Sequence, residues 1–201
     1  MFTFKNFNIA DWFSFYRVLA APFLIVLLYF EQRELFSWFL LISYSTDMID
    51  GFLARRLKIT SARGSQLDSV GDQITFTIGL IGLLIFEYDF IETNYLLILI
   101  AFSPYIIQML IAYRKYGKAT AFHTYLAKIS AFVQGVFILW SLFFTPVYPL
   151  FYIMIGVGFL ETIEEITLIF MYDHWTSDIK GIYWAHKDKR RINNNKGKSI
   201  L

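Results

Sequence analysis

The sequence predicts an all-α integral membrane fold, with six transmembrane helices and a short N-terminal interfacial segment. Three observations lead there. Of the 201 residues, 57% are hydrophobic and only 17% charged, against about 25% charged in an ordinary soluble domain; the mean hydropathy is +0.50. The apolar residues come in continuous runs near the ~20 residues that cross ~30 Å of hydrocarbon, not at amphipathic spacing. The basic residues gather in every second loop.

The stretch MFTFKNFNIADWF has no basic n-region followed by a short apolar core and a small-residue cleavage site, so no cleaved signal peptide is expected. Phe2, Phe4 and Phe7, with Trp12 and Phe13, suit the headgroup boundary. Six spans follow: Trp12–Phe30, Leu35–Leu57, Leu67–Phe86, Tyr95–Tyr113, Ala121–Phe144 and Tyr148–Tyr172. They are read as helices because a strand edge in lipid leaves its backbone groups unsatisfied. Pro22 and Pro104 fall inside spans and are expected to kink them. With no internal repeat, the chain divides into a membrane domain over residues 1–180 and a basic tail over 181–201.

Charge gives the orientation. The loop after the second span holds Arg55, Arg56, Lys58 and Arg63; the loop after the fourth holds Arg114, Lys115 and Lys118. The tail carries Lys187, Lys189, Arg190, Arg191, Lys196 and Lys198, whereas the opposite loops are acidic or neutral. Both termini and the two basic loops are therefore expected in the cytoplasm, with the tail against anionic lipid headgroups. A net charge of +2 gives no reason to expect nucleic acid as a partner, and the absence of Cys excludes disulfides, thiolate metal sites and a Cys nucleophile.

The chemistry concentrates in Asp47-Met-Ile-Asp50-Gly51-Phe-Leu-Ala54-Arg55, eight residues, then Gly64-Ser-Gln-Leu-Asp68-Ser-Val-Gly-Asp72. The spacings i, i+3 and i, i+4 put each pair of acids on one helix face. One span runs toward the cytoplasm and the next runs back, so both pairs are expected at similar depth. Four acids there are costly unless they meet a wet cavity and a compensating charge. Hard oxygen ligands on neighbouring helices suit Mg²⁺ or Mn²⁺, two of which would clamp a pyrophosphate. Gly51 and Gly64 leave room for phosphates to approach the backbone, Ala54 keeps the face shallow, and Arg55 offers a planar fork for phosphate. Two other readings stand beside this one. The acids could pair with Arg17, Arg55 or Arg63 to hold helices together, or form the ion site of a cation-coupled transporter.

The pattern D-x-x-D-G-x-x-A-R, eight residues, G-x-x-x-D-x-x-x-D resembles the signature of the CDP-alcohol phosphotransferases at each of its fixed positions. The resemblance implies a homodimeric six-helix enzyme of phospholipid synthesis, with its active site on the cytoplasmic side. Such an enzyme moves a phosphatidyl group from a CDP-linked lipid, CDP-diacylglycerol, to a small alcohol and releases CMP. By the same resemblance Asp47, Asp50 and Asp68 are metal ligands, and Asp72 is both a ligand and the general base. Gly51, Ala54, Arg55, Ser61 and Gly64 match positions around the cytidine diphosphate.

Acceptor selection is read from less similar segments. Lys128 stands where glycerol-phosphate and inositol-phosphate transferases have a basic residue for the acceptor phosphate, with Arg114 in support. Ser14 and Arg17, one turn apart, resemble the start of the glycerophosphate enzymes. Glycerol 3-phosphate is thus the leading acceptor, ahead of serine and inositol phosphate. The chain departs from the glycerophosphate pattern at Ser69, Gly71 and Gln73, and again at Ala127 and Ser130. Lys115 and Lys118 read as positive-inside loop charges, and His123 as interfacial. Glu161, Glu164 and Glu165 in the sixth span either line the acceptor cavity or hydrogen-bond between helices.

Overall fold

The computed structural model describes residues 9–57 and 62–188, with side chains over 15–46, 49 and 71–188. The interfacial Phe2, Phe4, Phe7, Trp12 and Phe13 side chains, Ser61 and the tail from residue 189 lie outside these. Among the described residues the chain is helical: α1 (Ile9–Tyr29), α2 (Arg33–Leu57), α3 (Ala62–Phe86), α4 (Tyr88–Tyr116), α5 (Tyr125–Phe143) and α6 (Tyr148–Met171). A short α7 covers residues 182–188. Two of these, α4 and α5, are long and apolar enough to cross a membrane. The apolar parts of α1 and α3 are shorter, Phe15–Tyr29 and Gly71–Phe86; α6 has the length but carries Glu161, Glu164 and Glu165. Pro22 and Pro104 lie inside α1 and α4.

Two boundaries differ from the sequence reading for local reasons. Helix α4 begins at Tyr88, not Tyr95, with Asp89 in its first turn, where an acid meets the positive end of the helix dipole. Residues 121–124 are not helical. Thr124 starts α5 instead, its Oγ1 accepting from Ala127 N at 3.0 Å, which makes it the N-cap.

The chain forms two compact units, one of residues 1–92 with 135–147 and one of 93–134 with 148–201. In the first unit α1 packs on both α2 and α3. Ala21, Leu24 and Leu28 form one face of α1 and share a core with Phe36, Leu40, Ile78, Ile138 and Leu142. The turn from α1 to α2 is closed by Glu31 N to Leu28 O (3.0 Å) and Gln32 N to Leu27 O (2.9 Å). Glu31 sits at φ 54°, so this is a Schellman cap with a non-glycine residue in the left-handed position. Gly82 faces Phe36 so closely that a Cβ there would overlap the buried ring.

Arg33 closes this unit. Its Nε donates to Leu142 O (2.9 Å), its Nη2 to Ser141 O (2.8 Å) and Phe144 O (2.7 Å), and it pairs with Glu87. These carbonyls end α5 and have no helical partner, and a cation there also meets the negative end of the dipole.

In the second unit Ala112, Phe122, Leu168, Ile169, Ile179 and Ala185 form the core. Lys115 Nζ donates to Ile169 O at 2.8 Å, and Tyr116 OH lies 2.7 Å from Tyr172 O, so the end of α4 is tied to the end of α6. Residues 172–188 fold back on the α4–α5 connection. Ser177 forms a parallel bridge with Ala121, and Ile179 N donates to Phe122 O at 2.7 Å.

Arg33→Gln should lower stability by about 2 kcal/mol, because it leaves several carbonyls and Glu87 without their partner. Arg114→Gln, at an exposed site, should change it by less than about 0.5 kcal/mol. Thermal unfolding of the detergent-solubilised protein measures both.

Candidate active site

Asp47, Asp50, Gly51, Ala54 and Arg55 lie on α2, and Gly64, Asp68 and Asp72 on α3. Asp and Gly are poor helix formers, so tertiary packing rather than propensity holds these turns: α2 and α3 pack on each other and on α1. The helical backbone keeps each acid pair on one face, at i, i+3 on α2 and i, i+4 on α3. Side chains of Asp47, Asp50, Ala54, Arg55 and Asp68 lie outside those described, as does the whole of Ser61. By residue type, four aspartates on two packed helices suit a hard divalent cation.

Asp72 is described, and its partner is Arg17. Arg17 Nη1 donates to Asp72 Oδ1, joining α1 to α3. The two ends of the pair differ sharply in environment: the Arg17 side chain is 1% exposed and that of Asp72 46%. Guanidinium does not lose its proton in a protein, so a buried Arg must be met by acceptors. Ser14 and Arg17 were expected on the acceptor side; the structure places Arg17 on the carboxylate expected to act as base.

The remaining candidates lie in the second unit. Arg114 is exposed in the last turn of α4 and Lys128 exposed in the first turn of α5, its Nζ 5.9 Å from the centre of the Tyr125 ring. His123 is exposed, at φ 53°.

Of the three glutamates of α6, the structure assigns two to hydrogen bonds. Glu165 is 9% exposed. Its Oε2 accepts from Gln108 Nε2 (2.7 Å) and Thr120 Oγ1 (2.6 Å), and Gln108 also donates to Thr120 Oγ1 (3.0 Å). This closed network joins α4, the α4–α5 connection and α6. Glu164 Oε1 accepts from Ile182 N at 3.4 Å. Gln108 and Thr120 went unread in the sequence; a lone Gln within an apolar span is the signal that marks such a partner.

Comparison with known proteins settles the family. Residues 7–170 match the CDP-alcohol phosphatidyltransferase family. The chain belongs to that family. Among similar proteins is the CDP-diacylglycerol–glycerol-3-phosphate 3-phosphatidyltransferase of Wigglesworthia glossinidia brevipalpis, 40% identical over 84 residues, which are 40% of this chain and 45% of that protein. Proteins of the same name from Yersinia enterocolitica and Sodalis glossinidius are 35% and 33% identical over 81 residues, 37% of this chain and 42% of each relative. The chain thus spans less than half the length of these relatives. No solved structure matches it. The transporter reading finds no support in these matches.

Arg17 is buried, and neutralising Asp72 removes a charge that it meets. Asp72→Asn and Arg17→Met should each destabilise the protein. The double variant should recover part of the loss, with a coupling of about 1–2 kcal/mol, below the range for fully buried pairs because Asp72 is half exposed. A double-mutant cycle by denaturant or thermal unfolding measures it.

Proposed function

We propose that the protein is a phosphatidyltransferase of phospholipid synthesis, moving the phosphatidyl group of CDP-diacylglycerol to glycerol 3-phosphate with release of CMP. One observation carries the reading: the fixed positions of the pattern, from Asp47 to Arg55 and from Gly64 to Asp72, lie on two consecutive, mutually packed helices inside the stretch that matches the family. The acceptor is supported by the relatives, which are named glycerol-3-phosphate 3-phosphatidyltransferases.

In this reading Asp47, Asp50, Asp68 and Asp72 hold one or two Mg²⁺ or Mn²⁺ ions. The bound metal supplies positive charge to the diphosphate and to the departing phosphate oxygen. Gly51, Ala54, Arg55, Ser61 and Gly64 receive the cytidine diphosphate, with Arg55 facing phosphate. Asp72, held from α1 by Arg17, takes the proton of the acceptor hydroxyl. The oxygen forms a bond to the phosphorus on the lipid side as the bond to the CMP oxygen breaks, and CMP departs with the electron pair. Lys128, with Arg114 in support, takes the acceptor's phosphate. The remaining work is positioning, as in other phosphoryl transfers.

The membrane arrangement belongs to the same proposal. Helices α1 to α6 are six spans of a multi-pass membrane domain, paired as a homodimer and in contact with membrane lipids. The acids, the basic loops and both termini are cytoplasmic, as the Lys and Arg distribution favours. Residues 1–180 make the membrane domain and 181–201 the basic end.

Purified protein given CDP-diacylglycerol and Mg²⁺ or Mn²⁺ should release CMP in the presence of glycerol 3-phosphate, and lipid mass should identify the product as a phosphatidyl glycerophosphate. Asp72→Asn should lower the rate about 10²–10⁴-fold while the protein stays folded. Preferential turnover of serine or an inositol phosphate would overturn the acceptor, and full activity of Asp72→Asn would remove the base. Ion flux in vesicles without CMP release would overturn the enzyme reading altogether.

A further inference from the structure

We infer that the segment after α6 is a positioning element for Lys128, acting through the ring pair of Tyr125 and Trp184. The inference rests on the reading of Lys128 as the residue that takes the acceptor's phosphate. Residues 172–188 lie past residue 170, where the match with the family ends, so nothing in that match assigns them a role.

The segment is tied to the start of α5 by backbone and by rings. Asp178 N donates to Ala121 O (3.2 Å) and Ile179 N to Phe122 O (2.7 Å), pairing the segment with the residues that lead into the helix. Tyr125 N, one of the amides at the helix start with no partner inside the helix, donates to Lys180 O at 3.2 Å. On the inner side Ile179 and Ala185 are buried with Phe122, Leu168 and Ile169. Trp175 adds a hydrogen bond from Nε1 to Ala119 O (3.0 Å), with Lys118 Nζ 3.6 Å from its ring centre.

On the outer side Trp184 meets Tyr125 edge to face, with ring centres 5.4 Å apart. Lys128 follows Tyr125 by one turn, and its ammonium lies over the other ring of this pair at 5.9 Å. An exposed Lys has several rotatable bonds and loses much freedom when it takes up one position. A ring held by a second ring gives it a fixed face to rest on. Trp184 therefore orders Tyr125, and Tyr125 restricts where Lys128 waits for an anion.

The segment can also be displaced from a distance. Gly181 has φ 147°, and a Cβ there would stand 3.0 Å from Glu164 Oε1, the atom that accepts from Ile182 N at the start of α7. Gly181→Ala is thus both strained in its backbone and crowded against its anchor.

Steady-state kinetics on the full chain test the inference, with kcat and separate KM values for glycerol 3-phosphate and CDP-diacylglycerol. Trp184→Leu and Gly181→Ala should raise the acceptor KM roughly five- to tenfold, leaving kcat and the KM for the CDP-lipid within about twofold. Trp184→Phe, which keeps a ring, should restore the acceptor KM to within about twofold of the unmodified chain. If Lys128→Met raises the acceptor KM but Trp184→Leu and Gly181→Ala leave it unchanged, the segment does not position Lys128. Equal losses in kcat and both KM values, not rescued by Phe, would show a merely structural role and overturn the inference too. An acceptor KM that Lys128→Met leaves unchanged would sink the acceptor role of Lys128, and the inference with it.

Discussion

A guanidinium buried among apolar helices cannot shed its charge, and Arg17 on α1 is such a group. The acid it meets is Asp72 on α3, the last of the four aspartates. The pair bears on the first unit in two ways. Its Arg17 lies on the same face of α1 as Ala21, Leu24 and Leu28, at i, i+4, i+7 and i+11, the face that enters the core. It also holds one carboxylate oxygen of Asp72 from the α1 side while nearly half of that side chain stays accessible. The cation of the pair is thus dry and the acid sits at the edge.

The second unit uses its acids differently. Glu165 is enclosed by Gln108 and Thr120, and Glu164 receives the amide that starts α7. Both join elements distant in sequence, so the glutamates of α6 help fold the end of the unit where Lys128 begins α5. A buried polar network of this kind is specific because each member satisfies another. Its position explains how polar groups persist in a helix otherwise apolar along its length. The aspartates of α2 and α3 are more numerous, and glycines accompany them in the sequence.

Much of this was legible in the sequence, and the exceptions have physical causes. The all-helical character followed from apolar runs whose backbone has no other partner in lipid, and the aspartates stood out because such residues are costly there. The early start of α4 was hidden because Glu87, Asp89 and Glu92 read as a loop, although Asp89 at a helix N-terminus is favourable. The non-helical stretch 121–124 was hidden because Ala121 and Phe122 are as apolar as the helix that follows. Their partner, Ser177 to Lys180, lies more than fifty residues away, and periodicity carries no information about pairing at that distance. The same holds for α7, whose buried Ala185 faces a core assembled from α4 and α6. The partnership of Arg17 with Asp72 also joins two helices far apart in sequence, and periodicity does not encode it.

In the proposed function the carboxylates of α2 and α3 act together on a divalent cation beside a diphosphate. Manganese binding to the metal-stripped protein, followed by electron paramagnetic resonance, tests it most directly. The account predicts saturable binding that tightens when CDP-diacylglycerol is added, because its phosphates complete the coordination shell, and that is lost in Asp50→Asn and Asp68→Asn. Binding of equal affinity in the unmodified chain and in both variants, with or without the CDP-lipid, would contradict it.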